Sequence, residues 1–455
     1  MNYLKYTVAA AALSLSLSGC GLYSKFESPK DAVPADGLYS YIQATNDTSN
    51  IASLPWRTLF VDAHLQRLIE KALQNNTDLS VARLDVEQAQ AALKTARLAP
   101  LPTLSATPQG TISDFKSSTT KSYNLSVSSS WEIDIFAKLR NAKESSKAAL
   151  EQSVAYRQAV QTQLIATVAT SYYSLLMLDE QLKISEETQK NWDENLRVME
   201  ALKRAGRINE TSVLQSKSSS VALKSQIVTI KEQLAALENT LCALLAMPTT
   251  HIERGEISQA TFPKELSIGV PMELLTNRPD IRMAESLLAQ RFYNVAEARS
   301  SLYPTLTLSG AIGFTNSSGA VTNPGDLLSS VVGSLVQPIF SHGTLQAQLK
   351  ISKAQQEQAL LEFKQAILDA GAEVNSALSS WQSAQARLKH SEEQIDLLKL
   401  TVKKTELLMK HGEANSLEVL TSQLSLLQSE LSYAEDKFNE AQGVINLYRS
   451  LGGGE

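Results

Sequence analysis

A chain of 455 residues would ordinarily hold two or three globular domains. Its formal net charge is −5, and no run of Lys and Arg reaches the density of a nucleic-acid patch, which speaks against a polynucleotide partner.

At the N-terminus Lys5 precedes the apolar stretch Thr7–Leu17, too short to span a bilayer but suited to the h-region of a signal peptide. Leu17-Ser18-Gly19-Cys20 resembles a bacterial lipobox, which makes residues 1–19 a signal peptide and Cys20 the lipidated first residue of the mature protein. An ordinary signal peptide followed by an incidental cysteine is the alternative. Lipidation would leave Cys242 as the sole thiol, so no intrachain disulfide could form; among Leu241, Leu244 and Leu245 it reads as a small core hydrophobe. Residues 20–61, with Pro29, Pro34 and Gly37, read as a surface tether.

A helical pattern begins near Asp62 (Leu65, Leu68, Ile69, Ala72, Leu73) and ends before Pro100 and Pro102. Two strands follow, at Leu104–Ser113 and Ser122–Ile135. In the second, Tyr123, Leu125 and Val127 alternate with Asn124, Ser126 and Ser128, the period of a strand with one apolar and one polar face. Ala137–Lys203 then contains neither Pro nor Gly, and would reach roughly 100 Å if wholly helical. Its apolar positions, and those of Leu223, Ile227, Ile230, Leu234, Leu237, Leu241 and Leu244 beyond Gly206, keep the alternating steps of three and four of a coiled coil.

The rest of the chain is a rewritten copy. Asn75, Asp78, Gln88, Arg97, Pro102 and Thr103 recur as Asn277, Asp280, Gln290, Arg299, Pro304 and Thr305, each 202 positions on. Leu202, Gly206, Asn209, Val213 and Leu214 recur 206 positions on as Leu408, Gly412, Asn415, Val419 and Leu420. Residues 62–260 and 261–455 are therefore two copies of one unit, in the order helix, two strands, long helical hairpin. So long a period describes a pseudo-symmetric body, not a short-repeat solenoid. The second strand pair is expected at Thr305–Phe314 and Leu328–Phe340, joined by the loop Thr315–Asp326, and the two hairpins turn at Gly206 and Gly412. Each glycine also reads as a helix C-cap with positive φ.

No later segment offers ~20 uninterrupted apolar residues, so a membrane crossing requires a closed β-barrel. Four strands cannot close one of useful width, and an open edge is intolerable in lipid, so several copies must share the barrel. A soluble periplasmic coiled coil with a β-cap is the competing reading.

The chain resembles the outer-membrane factor (TolC/OprM-like) lipoproteins. Trp56-Arg57-Thr58-Leu59-Phe60, Leu65-Gln66-Arg67-Leu68-Ile69 and Asn76-Thr77-Asp78-Leu79 carry the resemblance in the first half. Gly269-Val270-Pro271, Arg278-Pro279-Asp280-Ile281, Tyr303-Pro304-Thr305-Leu306 and Gln337-Pro338-Ile339-Phe340 carry it in the second. It implies a mainly α fold with a small β part: a trimer whose twelve strands form one outer-membrane barrel above a periplasmic tunnel of long antiparallel coiled-coil helices.

It implies a passive exit duct of a tripartite efflux pump, with a periplasmic adaptor and an inner-membrane transporter as partners and no cofactor. The adaptor-docking tips correspond to Arg204, Gly206, Arg207, Val213 and Leu214, and to Lys410, Gly412, Val419 and Leu420. Relatives narrow the tunnel with acids just after the second tip. Glu418, about two helical turns beyond it, occupies one such position, and Thr421 stands where a second acid often sits. Ser212, Met409 and Ala414 lie where relatives place closing contacts, so those contacts are not matched. A lipid-anchored scaffold that conducts nothing and a duct for secreted polypeptides are the other functional readings. The five histidines show no metal-ligand or catalytic spacing, and no nucleophile elbow, P-loop or dinucleotide fingerprint appears, so no enzyme is expected.

Overall fold

A computed structural model describes residues 23–29, 55–115, 118–259, 278–316 and 326–453. Cys20, the signal peptide, most of the tether, Gly269-Val270-Pro271, Asn277 and nearly all of the loop 315–326 lie outside the described residues.

The elements run α1 (Trp56–Leu59), α2 (Ala63–Asn75), α3 (Thr77–Leu98), β1 (Thr103–Phe115), β2 (Ser118–Ile133), α4 (Lys138–Arg204) and α5 (Glu210–Leu244). They continue α6 (Pro279–Ser300), β3 (Thr305–Thr315), β4 (Asp326–Val336), α7 (Thr344–His411) and α8 (Ser416–Ser450). The duplication survives in element lengths: α3 and α6 have 22 residues each, α5 and α8 have 35 each, and α4 and α7 have 67 and 68. Among the described residues no helix is long and apolar enough to cross a membrane.

Contacts divide the chain into two compact units, each drawing on both sequence repeats. The first comprises Met1–Val33, Leu84–Ala155 and Arg282–Ala366, and contains the sheet; the second comprises Pro34–Arg83, Tyr156–Ile281 and Ile367–Glu455.

In the first unit the strands pair antiparallel in the order β1-β2-β3-β4. Val127 stands opposite Ala106 and Ile312, and Ser128 opposite Ser105 and Ala311. Because residues directly opposite share a face, this register collects Leu104, Leu125, Val127, Trp131, Leu308, Ile312, Phe314, Leu327, Val331 and Leu335 on one side, all of them exposed. The other side carries Ser105, Thr107, Ser126, Ser128, Ser130, Ser309 and Ser330. The strands are thus sided as their alternation predicts, but β4 begins at Asp326 and ends at Val336, short of Pro338. Pro338 has no N–H for a ladder. At the helix-ward end Phe136 stacks on Tyr303 at 5.0 Å, Ser300 Oγ donates to Phe136 O at 2.8 Å, and Trp131 Nε1 donates to Pro100 O at 2.8 Å.

In the second unit the helical hairpins pack through the heptad positions. Trp192 of α4, Leu223 of α5 and Leu427 and Leu431 of α8 form one buried cluster, with Ile184 and Ile227 against it. Gln189 donates to Ser220 Oγ at 2.7 Å across α4–α5, and Arg387 Nε to Asp436 at 2.7 Å across α7–α8.

The helix expected to run from Asp62 to Pro100 is broken at Asn76, a correction with a local cause. Asn76 Oδ1 accepts from Leu79 N at 3.0 Å, capping α3, and its Nδ2 donates to Leu244 O at 3.0 Å. Its counterpart 202 positions on, Arg278, donates to Ser450 O, the counterpart of Leu244. Each repeat thereby ties the end of its hairpin to the start of its strand-ward helix with a side chain of its own.

Candidate functional sites: the hairpin tips

Both tips are built the same way. Gly206 N donates to Lys203 O at 2.9 Å and Arg207 N to Leu202 O at 2.9 Å; Gly412 N donates to Met409 O at 3.1 Å and Glu413 N to Leu408 O at 2.9 Å. This paired pattern closes a helix when the residue after its cap has positive φ, and φ is +68° at Gly206 and +81° at Gly412. Three residues later an asparagine opens the return helix: Asn209 Oδ1 accepts from Ser212 N at 2.9 Å, and Asn415 Oδ1 from Glu418 N at 3.0 Å. The glycine therefore serves the turn, and the turn sets which flanking side chains face outward.

Arg204, Gly206, Arg207 and Leu214 are exposed at the first tip, and Lys410 and Gly412 at the second. Val213, Val419 and Leu420 are buried, which corrects the expectation that they form a contact surface. Val419 and Leu420 pack beside Trp192, Met199 and Met409. Leu408 and Leu417 are exposed apolar side chains at the second tip.

The tips differ in charge. At the first, Lys203 pairs with Glu210 at 2.8 Å, and that hydrogen bond holds the Glu210 carboxyl below its ordinary range. Arg204 and Arg207 have no ion-pair partner among the described residues, so this tip is net cationic. The second presents Lys410 and His411 beside Glu413 and Glu418.

Glu418 lies in the first turn of α8, not two turns along, because Asn415 starts the helix. Its carboxylate accepts from Asn415 Nδ2 at 2.7 Å while its N–H donates to Asn415 Oδ1, a reciprocal cap. Glu418 and Thr421 are both exposed.

Higher on the hairpins, α4, α7 and α8 line an open groove of ≈ 990 Å³ that includes Glu180, Glu187 and Glu194. Their seven-residue spacing places them on one helix face. Burial pushes the Glu430 carboxyl in this groove up, and Lys399 at 3.6 Å only partly offsets it.

A family model described as outer membrane efflux protein matches residues 68–247 and 270–453. The chain belongs to that family. The two matched segments start 202 and end 206 positions apart, the offsets of the internal copy. The chain is similar to the pyoverdine export outer membrane protein OpmQ of Pseudomonas putida, 32% identical over 420 residues with 88% of each chain covered. It is also similar to the cation efflux system protein CusC of Escherichia coli K12, 28% identical over 450 residues, covering 97% of this chain and 98% of CusC. Among solved structures it matches the outer-membrane channel OprN with a TM-score of 0.87 at 27% identity, covering 95% of this chain and 98% of OprN. The open state of the Neisseria gonorrhoeae MtrE outer membrane channel matches with a TM-score of 0.86 at 26% identity, over 95% and 98%. As a member of this family the chain is an outer-membrane efflux channel, and its mainly α fold with four strands and an internal copy is the family fold.

Proposed function

We propose that three copies of this chain close a twelve-stranded barrel in the outer membrane, the exit duct of a tripartite pump whose periplasmic adaptor docks on the hairpin tips. The inner-membrane transporter of the pump supplies the energy, and the duct conducts passively. One observation carries the reading: a four-stranded antiparallel sheet with an exposed apolar face and two unpaired edges. In lipid every backbone group on β1 and β4 needs a partner. With an even, alternating strand order, β4 of one copy meets β1 of the next antiparallel, so the chain closes with copies of itself. Family resemblance supports the number three. Native mass spectrometry in detergent should give a trimer, and planar bilayers should show conductance. A monomer under all gentle conditions, or a trimer that conducts nothing, contradicts the proposal.

Lipid attachment at Cys20 belongs to the same reading. Tyr23 lies under the Arg140 guanidinium at 5.1 Å, and Phe26 packs edge-on against Phe292 at 5.7 Å while its N–H donates to Tyr293 OH at 3.2 Å. This holds the chain three residues beyond Cys20 on the sheet-bearing unit, and three residues reach about 10 Å at most. Labelled palmitate should enter the wild-type protein and not Cys20→Ala; equal labelling defeats the assignment.

Changes at the tips should spare folding and impair transport. Gly206 and Gly412 have nothing within 4 Å of an added Cβ, but positive φ strains any side chain there. Asp, like Asn, is among the residues with a Cβ that enter that conformation most readily, so Gly206→Asp and Gly412→Asp should cost about 1–2 kcal/mol locally. The added anion should lower efflux at least tenfold at the cationic first tip, with trimer level near wild type. Loss of trimer would show that the glycines serve folding alone.

A further inference from the structure

We propose that the rim where the helices meet the sheet is a binding belt for anionic phospholipid headgroups, built around Arg97, Arg299 and Arg140. The inference rests on the barrel reading and adds a ligand class to it.

Arg97 lies in the last turn of α3 and Arg299 in the last turn of α6, at the same place in the two repeats, five residues before the matching Pro102 and Pro304. Both are exposed, and neither side chain makes a hydrogen bond or ion pair among the described residues. Arg140 is exposed as well, its guanidinium over Tyr23. Three carboxylates of the sheet–helix junction are already engaged. Glu132 pairs with Lys138 at 3.1 Å, Glu144 with Lys143 at 3.1 Å, and Asp134 accepts from Leu139 N and Arg140 N at 3.0 and 2.9 Å. Glu297 is half-buried, and burial pushes its carboxyl up against the pull of Lys138. Glu27, exposed on the docked segment, is matched in charge by the exposed Lys25, so Arg97, Arg299 and Arg140 leave this surface net cationic.

Its outward direction follows from α6. Arg299 lies seven residues beyond Phe292, hence on the same helix face, and Phe292 is the ring on which Phe26 packs. Arg299 therefore shares its face with the docked segment that follows Cys20. The repeat places Arg97 equivalently. Immediately sheet-ward stand exposed Leu98, Leu101, Leu104, Trp131, Tyr303 and Phe340. Apolar and aromatic side chains beside unpaired cations match the zone in which a bilayer passes from acyl chains to anionic headgroups. A trimer would present six such arginines from the repeats alone, plus three copies of Arg140.

A last-turn arginine also complements the helix dipole, and that role predicts a stability effect without lipid preference. The test separates the two. Full-length trimer is reconstituted with phosphatidylethanolamine alone or mixed with phosphatidylglycerol, released, and its bound lipids are counted by native mass spectrometry. Wild type should retain phosphatidylglycerol preferentially. The double variant Arg97→Gln/Arg299→Gln should lose that preference by about fivefold per arginine, and Arg97→Lys/Arg299→Lys should keep most of it. The single Gln variants carry the same test should the double variant not assemble. Equal retention of both lipids by wild type, or an unchanged preference in the Gln variants with only a lower Tm, overturns the proposal. Failure of the barrel reading would appear separately, as a wild-type protein that neither trimerises nor inserts.

Discussion

Arg278→Met is expected to lower the apparent stability of the helical unit by about 3 kcal/mol, the lower end of the range for removing one partner of a buried ionic cluster. The Arg278 side chain is 7% exposed. It donates through Nε and Nη2 to Asp280 at 3.0 and 2.7 Å, through Nη2 to Glu373 at 2.7 Å, and through Nη1 to Ser450 O. Burial works against its charge, but the hydrogen bonds it donates to Asp280 and Glu373 outweigh it and hold the guanidinium above its ordinary value. Methionine fills similar volume without a donor, leaving Ser450 O buried and unpaired, at about 1–3 kcal/mol for that group. The loss stays near the lower bound because Glu373 keeps Arg449 and Asp280 reaches water. Thermal unfolding followed by circular dichroism in detergent should show a lower Tm at unchanged helix content in the cold. An unaltered Tm would mean the cluster breaks even against an apolar core. Asn76→Ala, the same tie in the first repeat, removes a cap and one bond to Leu244 O, so its effect should be smaller.

The contrast between these two positions marks what the chain shows on its face. Repeats, strand sidedness and the hairpins were legible because periodicity and a constant offset survive substitution. Asn75 and Asn277 align visibly, yet Asn76 and Arg278 do the same job with unlike side chains, and identity cannot reveal that. The break at Asn76 was written in Asn76-Thr77-Asp78, a cap followed by an acid, but the apolar rhythm on either side masked it. Inward or outward facing at the tips was harder. Val213 and Leu214 are equally apolar neighbours, yet the first is buried and the second exposed, a difference that tertiary packing decides and residue type does not. Close approaches are less visible still. A Cβ on Gly443 would lie 2.9 Å from Trp381 Cα, a constraint between residues 62 positions apart that no local pattern records.

Glu418→Gln is expected to weaken cation preference in single-channel recordings by roughly fivefold, the effect of about 1 kcal/mol per charge at close range in water. In the proposed trimer three copies of Glu418 ring the tunnel mouth, and converging carboxylates enrich cations there. The cap makes this substitution cleaner than a generic charge deletion. Glutamine keeps an acceptor oxygen in the place of the carboxylate, and its backbone N–H still meets Asn415 Oδ1, so the Asn415 Nδ2 contact can persist and α8 should begin at the same residue. Stability should then move by no more than a few tenths of a kcal/mol, the loss of a favourable anion at a helix N-terminus. Block by multivalent cations should weaken in parallel. Thr421 is exposed one turn further along α8, so Thr421→Glu should act in the opposite direction, strengthening cation preference and block. If both variants conduct like wild type, Glu418 is a helix cap alone, and the selective narrowing of the duct belongs to other residues.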